Sequence, residues 1–263
     1  MTTFGKFRLR ENPWVVSLVV SCCAAALSYL LPPAYSATAV GLWFLIATYA
    51  LTLRESNPSA GALTGTSADI PNPAASPSST TPSTDSAARW GLSLGGLLDR
   101  EPLSGRRLTR ATLRAVGYAA GLALLTLPPF WLGFVVWYGA EGTFTLDVDW
   151  HLLDEALGQL LVIALPEEAF FRGYLQTSLE DRWPPRRRVL GAPMGWAVVA
   201  ASAVFALGHL ATVPDPARLA VFFPSLAFGW LRARTGGIGA GVLYHASCNL
   251  FASFLGRGYG LLP

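Results

Sequence analysis

The stretch PEEAFFRGYLQ, residues 166 to 176, follows the apolar run ALGQLLVIAL and puts Glu167, Glu168 and Arg172 where their neighbours read as buried in lipid. A charge at the centre of a membrane helix costs about 3 kcal/mol on insertion scales, so such residues usually face a bundle interior for a functional reason. Glu168 and Arg172 are four apart, stack on one helix face and can form an ion pair, which lowers the desolvation cost of both. Glu167 is turned by about 100° from Glu168 and has no basic partner on its own helix. One acid reads as structural and the other as spare. The plain alternative is that the spare acid ends the helix at the interface, but Phe170, Phe171, Tyr174 and Leu175 carry the apolar character beyond it.

Two more apolar segments carry polar groups: His209 in VFALGHL, and His245 with Asn249 in LYHASCNL. A single histidine near a helix end is more often a satisfied core or interfacial residue. His245 and Asn249 are spaced i, i+4 on one face, and their plain reading is a hydrogen bond that glues neighbouring helices. Depth favours a site. At a rise of 1.5 Å per residue, Glu167, His209 and Asn249 all reach about 17–24 Å from the ends of their spans that carry arginine or begin at Pro193. A glutamate, two histidines and an asparagine at one level can activate a water and stabilise an oxyanion. A Cys248–His245 pair is a rival nucleophile arrangement, but it lacks an orienting third group and leaves the spare glutamate unexplained.

These groups need helices in lipid to position them, and the whole chain agrees. It has 263 residues, 52% of them apolar and only 13% charged, with a mean hydropathy of +0.42. Soluble domains carry roughly 25% charged residues. A formal charge of +3 is too small to argue for nucleic acid, so no nucleic-acid partner is expected. Cys22, Cys23 and Cys248 all lie in apolar runs and imply neither a disulfide framework nor a metal finger. The expected fold is all-α, a polytopic membrane helical bundle of about seven transmembrane helices: Pro13–Leu31, Tyr35–Leu53, Thr112–Tyr138, Leu152–Leu179, Pro193–Ala211, Leu219–Leu231 and Ile238–Leu255.

The first of these resembles a signal peptide, but apolar sequence resumes directly after it, so an uncleaved helix is expected. Residues 1–53 read as an N-terminal two-helix hairpin. Residues 54–89, rich in Ser, Thr, Pro and Ala, read as a disordered linker, and residues 90–263 as the functional core. Trp90 to Leu98 reads as a short interfacial segment. Lys6, Arg8 and Arg10 put the N-terminus in the cytoplasm. Seven spans then leave the other arginine clusters inside and the acidic loop 139–150 outside.

The motifs EEAFFR (Glu167 to Arg172), FALGH (Phe205 to His209) and HASCN (His245 to Asn249) resemble, in order and spacing, the E-E-x-x-x-R, F-x-x-x-H and H-x-x-x-N motifs of the CPBP family. This family comprises the CAAX proteases and bacteriocin-processing enzymes. The resemblance covers about residues 152 to 255 and implies an intramembrane endopeptidase of the glutamic type. It makes Glu167 the general base toward a water held jointly with His209. His245 and Asn249 stabilise the oxyanion, and Glu168 with Arg172 brace the site. Zinc is chemically conceivable for Glu and His, yet three close protein ligands are not evident, so the resemblance is read as cofactor-free. The implied partners are the lipid bilayer and a membrane protein or lipid-anchored peptide substrate. An Ala- and Arg-rich, Lys-poor composition suggests a bacterium, hence an inner-membrane location and a substrate without a prenyl group. Trimming of C-terminal anchoring tails, as by the myxosortase-type members, is a specific candidate. A non-catalytic membrane scaffold or immunity protein of the same fold is the alternative.

Overall fold

The computed structural model describes residues 12–52, 86–99, 102–140, 142–145 and 151–261. Lys6, Arg8, Arg10, Arg54, the linker up to residue 85 and the acids of loop 139–150 lie outside the described residues. The architecture is an all-α bundle with one small two-stranded hairpin.

Helix α1 (Pro13–Leu30) starts where Asn12 accepts a hydrogen bond from the Trp14 N–H at 3.1 Å, with Pro13 in the first turn. A proline there has no N–H to leave unsatisfied. The prolines at 32 and 33 end α1 and begin α2 (Pro33–Thr52), because the residue before a proline is pushed out of helical backbone. The two helices are tied by the Trp43 indole, which donates to the Val20 carbonyl at 2.9 Å. After the four-residue α3 (Ser86–Arg89), helix α4 (Gly105–Tyr138) begins at a Ser104 cap. Its arginine-rich first turns extend it well before Thr112. Thirty-four residues make about 50 Å of helix, more than the hydrocarbon thickness. It ends on Gly139 at φ 55°, a left-handed cap that glycine adopts without strain.

Residues 151–182 are helical throughout. They comprise α5 (His151–Leu157), a π-helical segment Gly158–Ala164, α6 (Leu165–Glu168), a second π-helical segment Ala169–Gln176, and α7 (Thr177–Arg182). The chain then forms strands β1 (Arg187–Val189) and β2 (Ala192–Met194), antiparallel with Arg187 opposite Met194. The hydropathy pattern gave no sign of these strands, since the loop reads as polar. Helix α8 (Trp196–Thr212), a 3₁₀ turn Pro216–Val221, α9 (Phe222–Thr235) and α10 (Gly239–Gly258) complete the fold.

Each expected span is mainly helix among the described residues, but the fifth starts at Trp196, because Pro193 and Met194 belong to β2. Among the described residues only α1, α2 and α4 are both long and apolar enough to cross a membrane. The stretch 151–182 and α10 carry the polar residues that define the site, and α8 is shorter. The count of about seven therefore remains the sequence expectation.

The N-terminal hairpin is packed into the core. The Phe44 ring meets Phe170 and Phe171, each at 5.4 Å between centroids. Gly41 of α2 lies against the Val162 carbonyl, where any Cβ would overlap the oxygen. In a regular helix that carbonyl would accept from residue 166, but Pro166 has no N–H. The missing side chain at Gly41 thus lets α2 reach the backbone of the site helix five residues before Glu167, beside Pro166. A Gly41→Leu chain should lose about 1–3 kcal/mol, as overpacking does, measured as a lower thermal midpoint in detergent. An unchanged midpoint would mean the hairpin is not seated there.

The segment after α3 also departs from expectation. Trp90 and Leu92 are buried instead of interfacial. The Gly91 carbonyl accepts from the Ile238 N–H at 3.0 Å, and the Trp90 ring packs 5.8 Å from Tyr174. Gly173 makes the room, since a Cβ there would meet the Leu92 side chain at 2.8 Å. Leu97 and Leu98 remain exposed.

Candidate active site

Pro166 and the two π-helical segments flanking α6 set the register of the glutamates. Such π segments cost regular hydrogen bonding and are frequent where a helix re-aims side chains for function. Here they turn the charged residues toward α9 and α10.

Glu168 is fully buried, and its Oε1 receives both Arg172 Nη1 at 3.0 Å and His245 Nδ1 at 3.1 Å. Gly241, one turn before His245, leaves space for that carboxylate, because a Cβ there would meet Glu168 Oε2 at 3.0 Å. The Arg172 Nη2 donates to the Ser225 hydroxyl at 2.6 Å and to the Ser225 carbonyl at 3.2 Å. Its guanidinium also lies over the rings of Phe205 (4.5 Å) and Phe228 (5.0 Å). Cation–π contact of this kind partly replaces lost hydration. A buried charge pair needs such additional partners to offset desolvation.

Glu167 is placed differently. Its Oε2 lies 3.7 Å from His245 Nε2, inside ion-pair range but beyond a hydrogen bond. That oxygen is buried and has no hydrogen-bond partner among the described residues. The His245 ring stacks on Phe228 at 4.5 Å and is fixed by Glu168 through Nδ1, so Nε2 is the nitrogen turned toward Glu167.

His209 and Asn249 flank this cluster without joining it directly. His209 Nδ1 donates to the Phe205 carbonyl at 3.0 Å. A carbonyl can only accept, so in the neutral ring the lone pair is on Nε2. His209 and His245 both pack on the Phe205 ring, at 4.4 and 5.8 Å between centroids. Among the described residues no hydrogen bond joins Glu167 to His209. Asn249 Nδ2 donates to Gln159 Oε1 at 2.8 Å, which leaves its second N–H and its carbonyl oxygen for other partners.

Three participants escaped sequence reading. Ser225 and Gln159 had no visible signal, because a lone serine or glutamine in an apolar run is common. Gln176 could have been found. Glu168, Arg172, Gln176 and Glu180 recur every four residues, and they form one polar stripe along the helix. Gln176 donates to Glu180 at 2.8 Å and to the Gly229 carbonyl at 3.3 Å. Arg232 closes the stripe with Glu180 at 3.4 Å and the Thr177 hydroxyl at 2.6 Å.

Zinc fits these residues poorly. Among the described residues no three of His, Cys, Asp and Glu converge as a ligand set, and Glu168 is already committed to Arg172 and His245.

Residues 149–251 match the family model described as Rce1-like, Type II CAAX prenyl endopeptidase Rce1-like. That region is Rce1-like. The match includes all six motif residues as well as Gln159 and Ser225, and it excludes α1, α2 and α4. The comparisons with curated proteins and with solved structures found no match. Residues 149–251 of this membrane protein are thus similar to a family of CAAX-type proteases.

Proposed function

We propose that the protein is an intramembrane endopeptidase of the glutamic type, acting on a membrane-anchored protein or lipid-anchored peptide. The observation that carries this reading is the division of labour between two adjacent glutamates. Glu168 Oε1 is held by Arg172 at 3.0 Å and His245 at 3.1 Å, whereas Glu167 Oε2 stands 3.7 Å from His245 Nε2 and, like Glu168 Oε2, has no hydrogen-bond partner among the described residues.

In this reading a water donates one hydrogen to the Glu167 carboxylate and the other to His209 Nε2, which leaves its oxygen lone pair to attack. Glu167 takes the proton as the oxygen–carbon bond forms. Asn249 Nδ2 donates to the resulting oxyanion, and His245 joins it from Nε2 as the imidazolium, its Nδ1–H held by Glu168, a form of stabilisation made only in the transition state. Glu167 then returns the proton to the amide nitrogen, and the carbon–nitrogen bond breaks. No metal enters the scheme.

The family description names a prenyl endopeptidase. The Lys-poor composition of this chain argues instead for a bacterial substrate held by a transmembrane or acyl anchor. The test is comparative proteomics of membrane and released fractions from cells carrying the wild type or Glu167→Ala. A peptide or ectodomain released only by the wild type identifies the substrate. Identical fractions would favour the non-catalytic scaffold.

Charge counting puts the N-terminus in the cytoplasm and the site nearer the outer surface. Gly142→Cys and Arg188→Cys, each in a Cys-free chain, check this. A membrane-impermeant thiol reagent should label only Gly142→Cys in intact cells. Labelling of Arg188→Cys would invert the topology and open the site to the cytoplasm.

A further inference from the structure

The strand hairpin between α7 and α8 has a turn that folding alone would not choose. Leu190 and Gly191 occupy its two central positions at φ 48° and 79°. Both are left-handed, as in the hairpin turns that favour Asn-Gly or Gly-Gly. Glycine adopts this backbone freely, but for leucine it is strained. A strained side chain is usually retained because it packs against something. Leu190 is instead 81% exposed.

The rest of the hairpin is held firmly. The Trp230 indole donates to the Val189 carbonyl at 2.9 Å, and the Arg234 guanidinium lies so close to Gly191 that a Cβ there would stand 3.3 Å from its Cζ. The tip is therefore a fixed projection. Arg186, Arg187 and Arg188 precede it, all exposed, and among the described residues none has an acid in ion-pair range. Exposed Trp183 and Trp196 stand at its two ends. Because the hairpin joins two helices of the bundle, it lies where the chain leaves the hydrocarbon. Tryptophan favours that depth, and arginines there attract anionic headgroups.

We propose that this hairpin is an anchor for anionic phospholipid. Leu190 and Val189 dip into the acyl boundary while Arg186, Arg187 and Arg188 bind headgroup phosphates. It would hold the α7–α8 end of the bundle at a set depth. The inference is independent of the catalytic reading, since none of these residues belongs to the site.

The experiment uses the full chain, Cys-free, with Leu190→Cys carrying a nitroxide, in vesicles of phosphatidylcholine alone or with equal parts phosphatidylglycerol. Collisions with oxygen and with a water-soluble nickel chelate report depth. The label should be shielded from the chelate, more so with phosphatidylglycerol. Spin-labelled phosphatidylglycerol should associate with the protein in preference to phosphatidylcholine. Replacing all three arginines by glutamine should erode that preference by about fivefold for each arginine on a headgroup, the equivalent of ~1 kcal/mol per basic residue. Leu190→Asn, a residue suited to the turn, should fold at least as stably in detergent while losing the preference in part. A label as open to the chelate as an aqueous loop would overturn the proposal and mark the tip as a protein-docking loop. A lipid preference unchanged in the arginine variant would overturn it equally.

Discussion

Glu167→Gln should lose about 10²–10⁴-fold in kcat, the usual cost of removing a general base, while inserting and melting as the wild type does. The substitution keeps the shape of the side chain and touches neither the Glu168–Arg172 pair at 3.0 Å nor the His245–Glu168 contact. His209→Ala should be comparably impaired, since the water would lose one of its two acceptors. Both are to be measured on the released substrate, with thermal midpoints alongside. A loss below tenfold in both variants would remove Glu167 from the base role and leave the cluster as architecture. If Glu167→Gln is inert but Cys248→Ala is dead, the nucleophile is the thiol.

The second large effect is on stability. Arg172→Ala should cost about 3–5 kcal/mol, the range for breaking a buried charge pair by removing one partner. It strands Glu168, which is 0% exposed, and empties the space between Phe205 and Phe228. Arg172→Lys should rescue little, because one ammonium cannot reach both Glu168 and Ser225 in the arginine's planar fork. Pairing Arg172→Ala with Glu168→Gln should recover part of the loss, as interacting sites are not additive. Thermal denaturation in detergent reads all three. An Arg172→Ala protein that is inactive yet as stable as wild type would make this arginine a substrate contact.

The residues of the candidate site were legible because lipid makes polar side chains conspicuous. Glu167, Glu168, Arg172, His209, His245 and Asn249 stand out from apolar runs, and helical spacing alone pairs Glu168 with Arg172. The same contrast gave the helices, their order and the membrane setting. What the sequence could not give was which helix faces which. His245 lies between the two glutamates, and Asn249 reaches back to Gln159. Both facts depend on how α10 docks against residues 151–182. Ser225 and Gln159 were invisible because a lone polar residue becomes a partner only through that docking. The hairpin at 187–194 was missed for another reason: two three-residue strands carry too few positions for a period-two signal to emerge. The role of the N-terminal helices was hidden as well. A glycine at 41 and a proline at 166 mean little apart, and only their meeting across the bundle shows that the hairpin seats on the site helix just before the glutamates. Sequence determined which polar groups stand in the apolar helices and in what medium, since burial of charge is costly wherever it occurs. Tertiary packing decided which of them touch, because contacts between helices far apart in the chain are not encoded in any one helix's period.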